Sequence, residues 1–157
     1  MSICLRLRLL STTFALTILV SGLQAQEKKI TRAQLPAPVE KAVVRESEGA
    51  TIKGFAQERE QGQTFYEASL NVNGHNKDIL FDKDGNIVEV EEEVSMDSLP
   101  PTVQGAVKKA AGTGTITVIE SLTKNGTLVA YEAHVKNGKK RSEIQVGPNG
   151  EKLKRPE

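Results

Sequence analysis

The sequence predicts an α+β protein of two tandem repeats, each one helix packed on an antiparallel meander of three to four strands. Three observations predict it. The stretch Thr64-Phe65-Tyr66-Glu67-Ala68-Ser69-Leu70-Asn71-Val72-Asn73-Gly74 has a near copy in Val129-Ala130-Tyr131-Glu132-Ala133-His134-Val135-Lys136-Asn137-Gly138. Leu35 to Val43 (LPAPVEKAV) likewise returns as Leu99 to Val107 (LPPTVQGAV). After each proline-led stretch the apolar spacing changes from 3.6 to 2, the mark of a helix followed by strands.

Residues 1–25 stand outside this pattern. Arg6 and Arg8 precede an apolar run from Leu9 to Val20, and Ser21-Gly22-Leu23-Gln24-Ala25 offers small residues for cleavage, so the segment reads as a secretory signal peptide. The run is short for a membrane span, which needs about 20 residues; an uncleaved N-terminal anchor is the alternative. The single cysteine, Cys4, lies before the run, not at its end where lipid attachment would require it. A mature chain of residues 26–157 therefore has no cysteine and must rely on packing alone, in a compartment that would permit disulfides. It carries 19 basic and 20 acidic residues once Arg6 and Arg8 are removed, a balance that gives no reason to expect nucleic acid. The absence of tryptophan and the few aromatics argue against a sugar-stacking or aromatic-cage site.

Residues 26–34 are polar, without a period, and read as a flexible lead-in. The first repeat spans 35–98 and the second 99–157. Val39, Ala42 and Val43 in one, and Val103, Ala106, Val107 and Ala110 in the other, fall on one face of a helix of about three turns. Proline is tolerated at the start of each helix because its missing N–H would be unpaired there. Gly49 and Gly112 are the expected stops.

Ile52 to Glu60 and Thr115 to Lys124 read as first strands, closed by turns at Gln61-Gly62-Gln63 and Asn125-Gly126. In the next strand Tyr66, Ala68, Leu70 and Val72 share one face, and Phe65, Glu67, Ser69 and Asn71 the other. Its counterpart sets Tyr131, Ala133 and Val135 against Glu132, His134 and Lys136. Asn73-Gly74 and Asn137-Gly138 are hairpin signals, since primed turns need positive φ. Third strands carry Ile79 and Phe81, then Ile144 and Val146. A fourth, Asn86 to Val94, has only a stub around Leu153 as its counterpart. Met96-Asp97-Ser98 is the expected junction. Units of about 60 residues are marginal alone, so the two are expected to pack together.

Proline, a short helix, a strand with Tyr-Glu-Ala, then Asn-Gly and a strand closing with Phe81-Asp82-Lys83-Asp84-Gly85-Asn86 resembles the PepSY-like family. The tandem arrangement is similar to the beta-lactamase inhibitory protein fold. The resemblance covers residues 35–155, and the second copy departs from the closing motif with Val146-Gly147-Pro148-Asn149-Gly150-Glu151. It implies a secreted or periplasmic domain of the bacterial cell envelope, without enzymatic activity, that binds or inhibits a protein.

Several motifs invite a sharper reading. Asp82, Asp84, Asn86 and Glu93 match positions 1, 3, 5 and 12 of a calcium loop, but Ile87 replaces the glycine its bend needs and strands flank it, so a hairpin turn is the reading. The run Glu89-Val90-Glu91-Glu92-Glu93 offers a site for cations or a basic partner, but the favoured reading is an exposed strand whose charges guard it against edge pairing. Residues 26–98 hold 9 basic and 15 acidic residues (net −6), residues 99–157 hold 10 and 5 (net +5); this favours packing of the two units or head-to-tail contact. His75 and His134 are read as surface histidines rather than metal ligands. Asn125-Gly126-Thr127 matches a glycosylation acceptor but explains itself as a turn. No glycine-rich phosphate loop, activated serine or cofactor motif stands out.

What remains is the sheet face away from the helices. Phe65, Glu67 and Ser69, with Ile119, Glu132 and His134, are the expected protein-binding residues; Phe65 would otherwise pack between the repeats. The expected function is a non-enzymatic protein-binding module, in its narrower form an inhibitor of an envelope or secreted enzyme. A structural or ion- or stress-responsive envelope protein without a tight partner is the alternative.

Overall fold

The computed structural model describes residues 27–155 and 157. The signal-peptide reading and Cys4 lie outside the described residues. Ten principal elements follow one another: β1 (Lys28–Ile30), α1 (Ala37–Glu46), β2 (Thr51–Glu60), β3 (Gln63–Val72), β4 (His75–Phe81), β5 (Ile87–Glu93), α2 (Pro101–Ala111), β6 (Thr115–Lys124), β7 (Thr127–Asn137) and β8 (Lys140–Val146). Short 3₁₀ turns, Arg32–Gln34 and Met96–Ser98, precede the two helices. The eight strands form one antiparallel sheet in sequence order, so β5 and β6 are neighbours although α2 lies between them in the chain. The polar lead-in contributes β1, which pairs with β2 from Lys28↔Gln57 to Ile30↔Phe55.

Each helix buries one stripe. Val39, Ala42 and Val43 of α1 join Ala68, Leu70, Ile79 and Phe81 in one apolar cluster. Val103 and Val107 of α2 join Leu99, Ile119, Ala133 and Val146 in the other. Cross-strand register runs Val90 and Glu92 of β5 onto Thr123 and Ser121 of β6, and Ser121 onto Tyr131 of the second cluster. Both helices therefore cover the same face of the sheet, and among the described residues the other face carries none. Pro38 and Pro101 stand in the first helical turns, as their missing donors allow. Gly112 follows α2 directly at φ 58°, whereas α1 stops at Glu46 with Ser47 as its cap, three residues short of the expected Gly49.

Four irregularities set the faces, one of them the extra Val88 of β5 between the pairs Leu80↔Glu89 and Phe81↔Ile87. β2 is bulged between Ile52 and Gly54, and β6 between Ile116 and Val118, at matching places. Each bulge lets apolar residues three apart, Ile52 and Phe55 or Ile116 and Ile119, face the same helix. β7 holds one extra residue, Val129, between the pairs Leu122↔Ala130 and Thr123↔Leu128. The last hairpin also differs from expectation. Asn73 and Gly74 both have positive φ, but at the second site Asn137 stays in β7, paired with Lys140, and Gly138-Lys139 is the loop.

One expectation is corrected here. The acidic run does not guard an edge: β5 pairs with β4 on one side and β6 on the other. α2, which lies between β5 and β6 in the chain, packs on the sheet without interrupting it. The segment after β8 adds only the bridge Val146↔Lys152.

A carboxylate face as candidate functional site

On the helix-free face the register lines up residues strand by strand. Ala56 and Glu58 of β2 oppose Glu67 and Phe65 of β3; Glu67 and Ser69 oppose Leu80 and Asp78 of β4. Leu80 and Asp78 in turn oppose Glu89 and Glu91 of β5, which meet Lys124 and Leu122 of β6. Leu122 faces Ala130, Glu120 faces Glu132, and Val118 faces His134 of β7. Glu132 and His134 then meet Gln145 and Glu143 of β8. A band of carboxylates thus crosses the sheet, interrupted by Ala56, Leu122 and Ala130, which their neighbours bury almost completely.

Packing carboxylates side by side on a half-buried surface disfavours their charged forms. Burial raises Glu91 to about 8, with the charges of Glu89, Glu120, Glu132 and Asp78 adding to it. Burial likewise pushes Glu58 up to about 7, helped by a hydrogen bond to Glu67 and the charges of Glu67, Glu27 and Glu89. Glu89 is raised by burial despite Lys124, whose Nζ is 3.5 Å away. Glu120 is raised by burial against the opposing pull of His134. Glu58, Glu67, Asp78, Leu80, Glu89 and Glu91 line a depression of about 200 Å³.

Of the residues expected on this face, Phe65, Glu67, Ser69, Glu132 and His134 are on it. Phe65 stands opposite Glu58, near Glu60, Gln61 and Gln63, and belongs to neither apolar cluster. Ser69 Oγ donates to Glu67 Oε1 at 2.7 Å. Ile119 is not on the face: it pairs with Ala133 in the α2 cluster and is 5% exposed. The bulge after Ile116 reverses the alternation from which Ile119 was assigned outward. Sequence reading missed Glu58, Asp78 and Glu120 and favoured an edge guard over a binding role for Glu89 and Glu91. Glu58 and Asp78 were within reach, because short turns at Gln61-Gly62 and Asn73-Gly74 set them opposite Phe65 and Ser69. Glu89, Glu91 and Glu120 lie past bulges that no turn signal announces, and only the β5–β6 pairing brings the two groups together.

His134 gathers three carboxylates. Its Nε2 lies 3.0 Å from Glu120 Oε2 and 3.4 Å from Glu132 Oε1, and its Nδ1 is 4.0 Å from Glu143 Oε1. Gln145 Nε2 donates to the other Glu132 oxygen at 2.8 Å. Among the described residues Glu120, Glu132 and His134 are a set able to hold a cation, their ligand atoms all within 4.8 Å of one another. The calcium-loop residues do not converge in this way. Asp82 Oδ1 accepts from the amides of Asp84 and Asn86, both at 2.9 Å, and Glu93 Oε2 accepts from the Asn76 amide at 3.0 Å. Burial would raise Asp82, but these turn hydrogen bonds outweigh it and hold the carboxyl below its usual range.

The family model described as "Putative beta-lactamase-inhibitor-like, PepSY-like" matches residues 64–154. The chain belongs to this family. Its fold recurs in solved structures from Bacteroides. One, described as "putative periplasmic proteins" from Bacteroides eggerthii, is 19% identical with TM-score 0.62, covering 76% of this chain and 86% of that one. A DUF2874 family protein from Bacteroides ovatus is 22% identical with TM-score 0.59, covering 76% and 85%. A BLIP-like protein from Bacteroides fragilis is 23% identical with TM-score 0.54, covering 74% and 81%. No curated protein matches the chain. No helix among the described residues is long and apolar enough to cross a membrane.

Proposed function

We propose that this PepSY-like chain is a non-enzymatic, periplasmic or secreted binding module of the cell envelope whose helix-free face docks a basic protein surface. The carboxylate band carries this reading. Glu58, Glu67, Asp78, Glu89, Glu91, Glu120 and Glu132 come from six consecutive strands, and on that face, among the described residues, Lys124 and the His134 imidazole are the basic side chains paired with them. A partner bringing lysine or arginine side chains relieves their mutual repulsion, with Phe65 as an aromatic contact at the margin. Inhibition of an envelope or secreted enzyme is the narrower form, in keeping with the family's description and the BLIP-like neighbour. The periplasmic description of the Bacteroides eggerthii neighbour and the apolar N-terminal run support export.

We also infer duplication, over 35–98 and 99–157. The matching bulges and the equivalent pairings Phe55↔Ala68 and Ile119↔Ala133 support it.

The test is affinity capture from the source organism's envelope extract at low and moderate salt, comparing the native protein with its Glu67→Lys/Glu91→Lys variant. The expected result is one stoichiometric protein, released as salt rises and not retained by the variant. Equal retention by both proteins, or an empty column at both salts, overturns the reading. The half-buried acids also favour an ion-responsive role, which predicts melting that shifts between added calcium and chelator.

A further inference from the structure

We propose that Glu120, Glu132 and His134 form a binding site for a divalent first-row transition cation, of which zinc is the probe. A neutral imidazole nitrogen carries at most one hydrogen, and on a line between two acceptors it satisfies one of them. Nε2 of His134 nevertheless faces two carboxylate oxygens, at 3.0 and 3.4 Å. Among the described residues His134 is the only ion-pair partner of Glu120 and Glu132. The two glutamates are directly opposed across β6 and β7, an unfavourable placement for like charges.

The 3.4 Å from Nε2 to Glu132 matches the spacing of adjacent zinc ligands, and the 3.0 Å hydrogen bond to Glu120 need open only slightly to admit the ion. Zinc bonds of about 2.0–2.2 Å to nitrogen and carboxylate oxygen place adjacent tetrahedral ligands roughly 3.3–3.5 Å apart. One imidazole and two carboxylates are ordinary zinc donors, and they leave a fourth position open toward solvent. The surroundings orient the donors. Glu143 stands 4.0 Å from Nδ1, outside hydrogen-bond range, and a small side-chain movement would let its carboxylate accept the Nδ1 proton, fix the tautomer and raise the basicity of a ligating imidazole. Gln145, from β8, holds the far oxygen of Glu132 and leaves Oε1 toward His134. Three adjacent strands of an antiparallel sheet thus supply the donors and both orienting groups, so the site is built on rigid backbone. The side chains of Glu120 and Glu132 are only 12% and 14% exposed, which limits competition from water.

This site does not rest on the protein-docking reading, and its test needs no partner. Untagged protein is titrated with zinc by calorimetry and with cobalt(II) by visible absorption. The expected result is one ion per chain, a tetrahedral-type cobalt spectrum displaced by zinc, and a melting temperature raised by saturating zinc. His134→Ala and Glu132→Gln each remove the stoichiometric binding, Glu143→Gln weakens it by about 10-fold, and His75→Ala leaves it unchanged. Circular dichroism identifies any variant that fails to fold, and Glu120→Gln then replaces it. Absence of stoichiometric binding, or binding that survives in folded His134→Ala, overturns the proposal.

Discussion

Glu91 sits between Asp78 and Leu122 on the helix-free face, with acids of three other strands around it, and burial holds its carboxyl up to about 8. The unfolded chain loses that proton near the ordinary value of 4.5. Between those two values the folded state binds more protons than the unfolded state, so stability falls as pH rises. Glu58, raised to about 7, acts in the same direction over a narrower window. The protein is therefore expected to melt higher near pH 5 than near pH 9. Solvent screening of these half-buried groups leaves a change of roughly 2–3 kcal/mol. Glu91→Gln removes part of this loss. At pH 8–9 it is expected to raise the melting temperature by several degrees, and at pH 4 to leave it nearly unchanged. Calorimetric scans across pH check both; a profile rising toward pH 9 would contradict the charge crowding.

The two closing turns belong to the scale of elements. A Cβ on Gly85 would meet Pro38 O at 2.5 Å, and one on Gly150 would meet Thr102 O at 2.7 Å, so each turn lies against the first turn of its helix. Both glycines also have positive φ, at 82° and 86°. Gly85→Ala and Gly150→Ala are each expected to cost about 2 kcal/mol or more, measured by urea unfolding. A neutral effect would mean the helix is not seated on its turn. Much at this scale was legible in sequence. Thr115–Lys124 was read with its observed bounds, and Tyr66, Ala68 and Leu70 were assigned to the covered face. Ile119 was misplaced because a bulge costs nothing in composition: Thr117 and Val118 look like ordinary strand residues. The Asn137-Gly138 signal was read correctly as a hairpin but one residue early, since strand pairing put Gly138-Lys139 in the loop.

At the scale of the whole molecule, the pairing of β5 with β6 makes one continuous surface out of two acidic strips. Local periodicity carries no record of that pairing, because its partners are separated by α2. It turns the acidic run from a guarded edge into the middle of the sheet, and joins Glu89 and Glu91 to Glu120 and Glu132. The account's central claim is that this joined face docks a cationic partner. Carboxyl footprinting tests it most directly: the protein is labelled alone and in its own envelope extract, with chelator in both, and the modified glutamates are located by mass spectrometry. The account predicts that Glu67, Glu89 and Glu132 lose labelling in extract while Glu46 and Glu48, beside the end of α1, do not. Unchanged labelling across the face, or protection confined to the helix side, would contradict it.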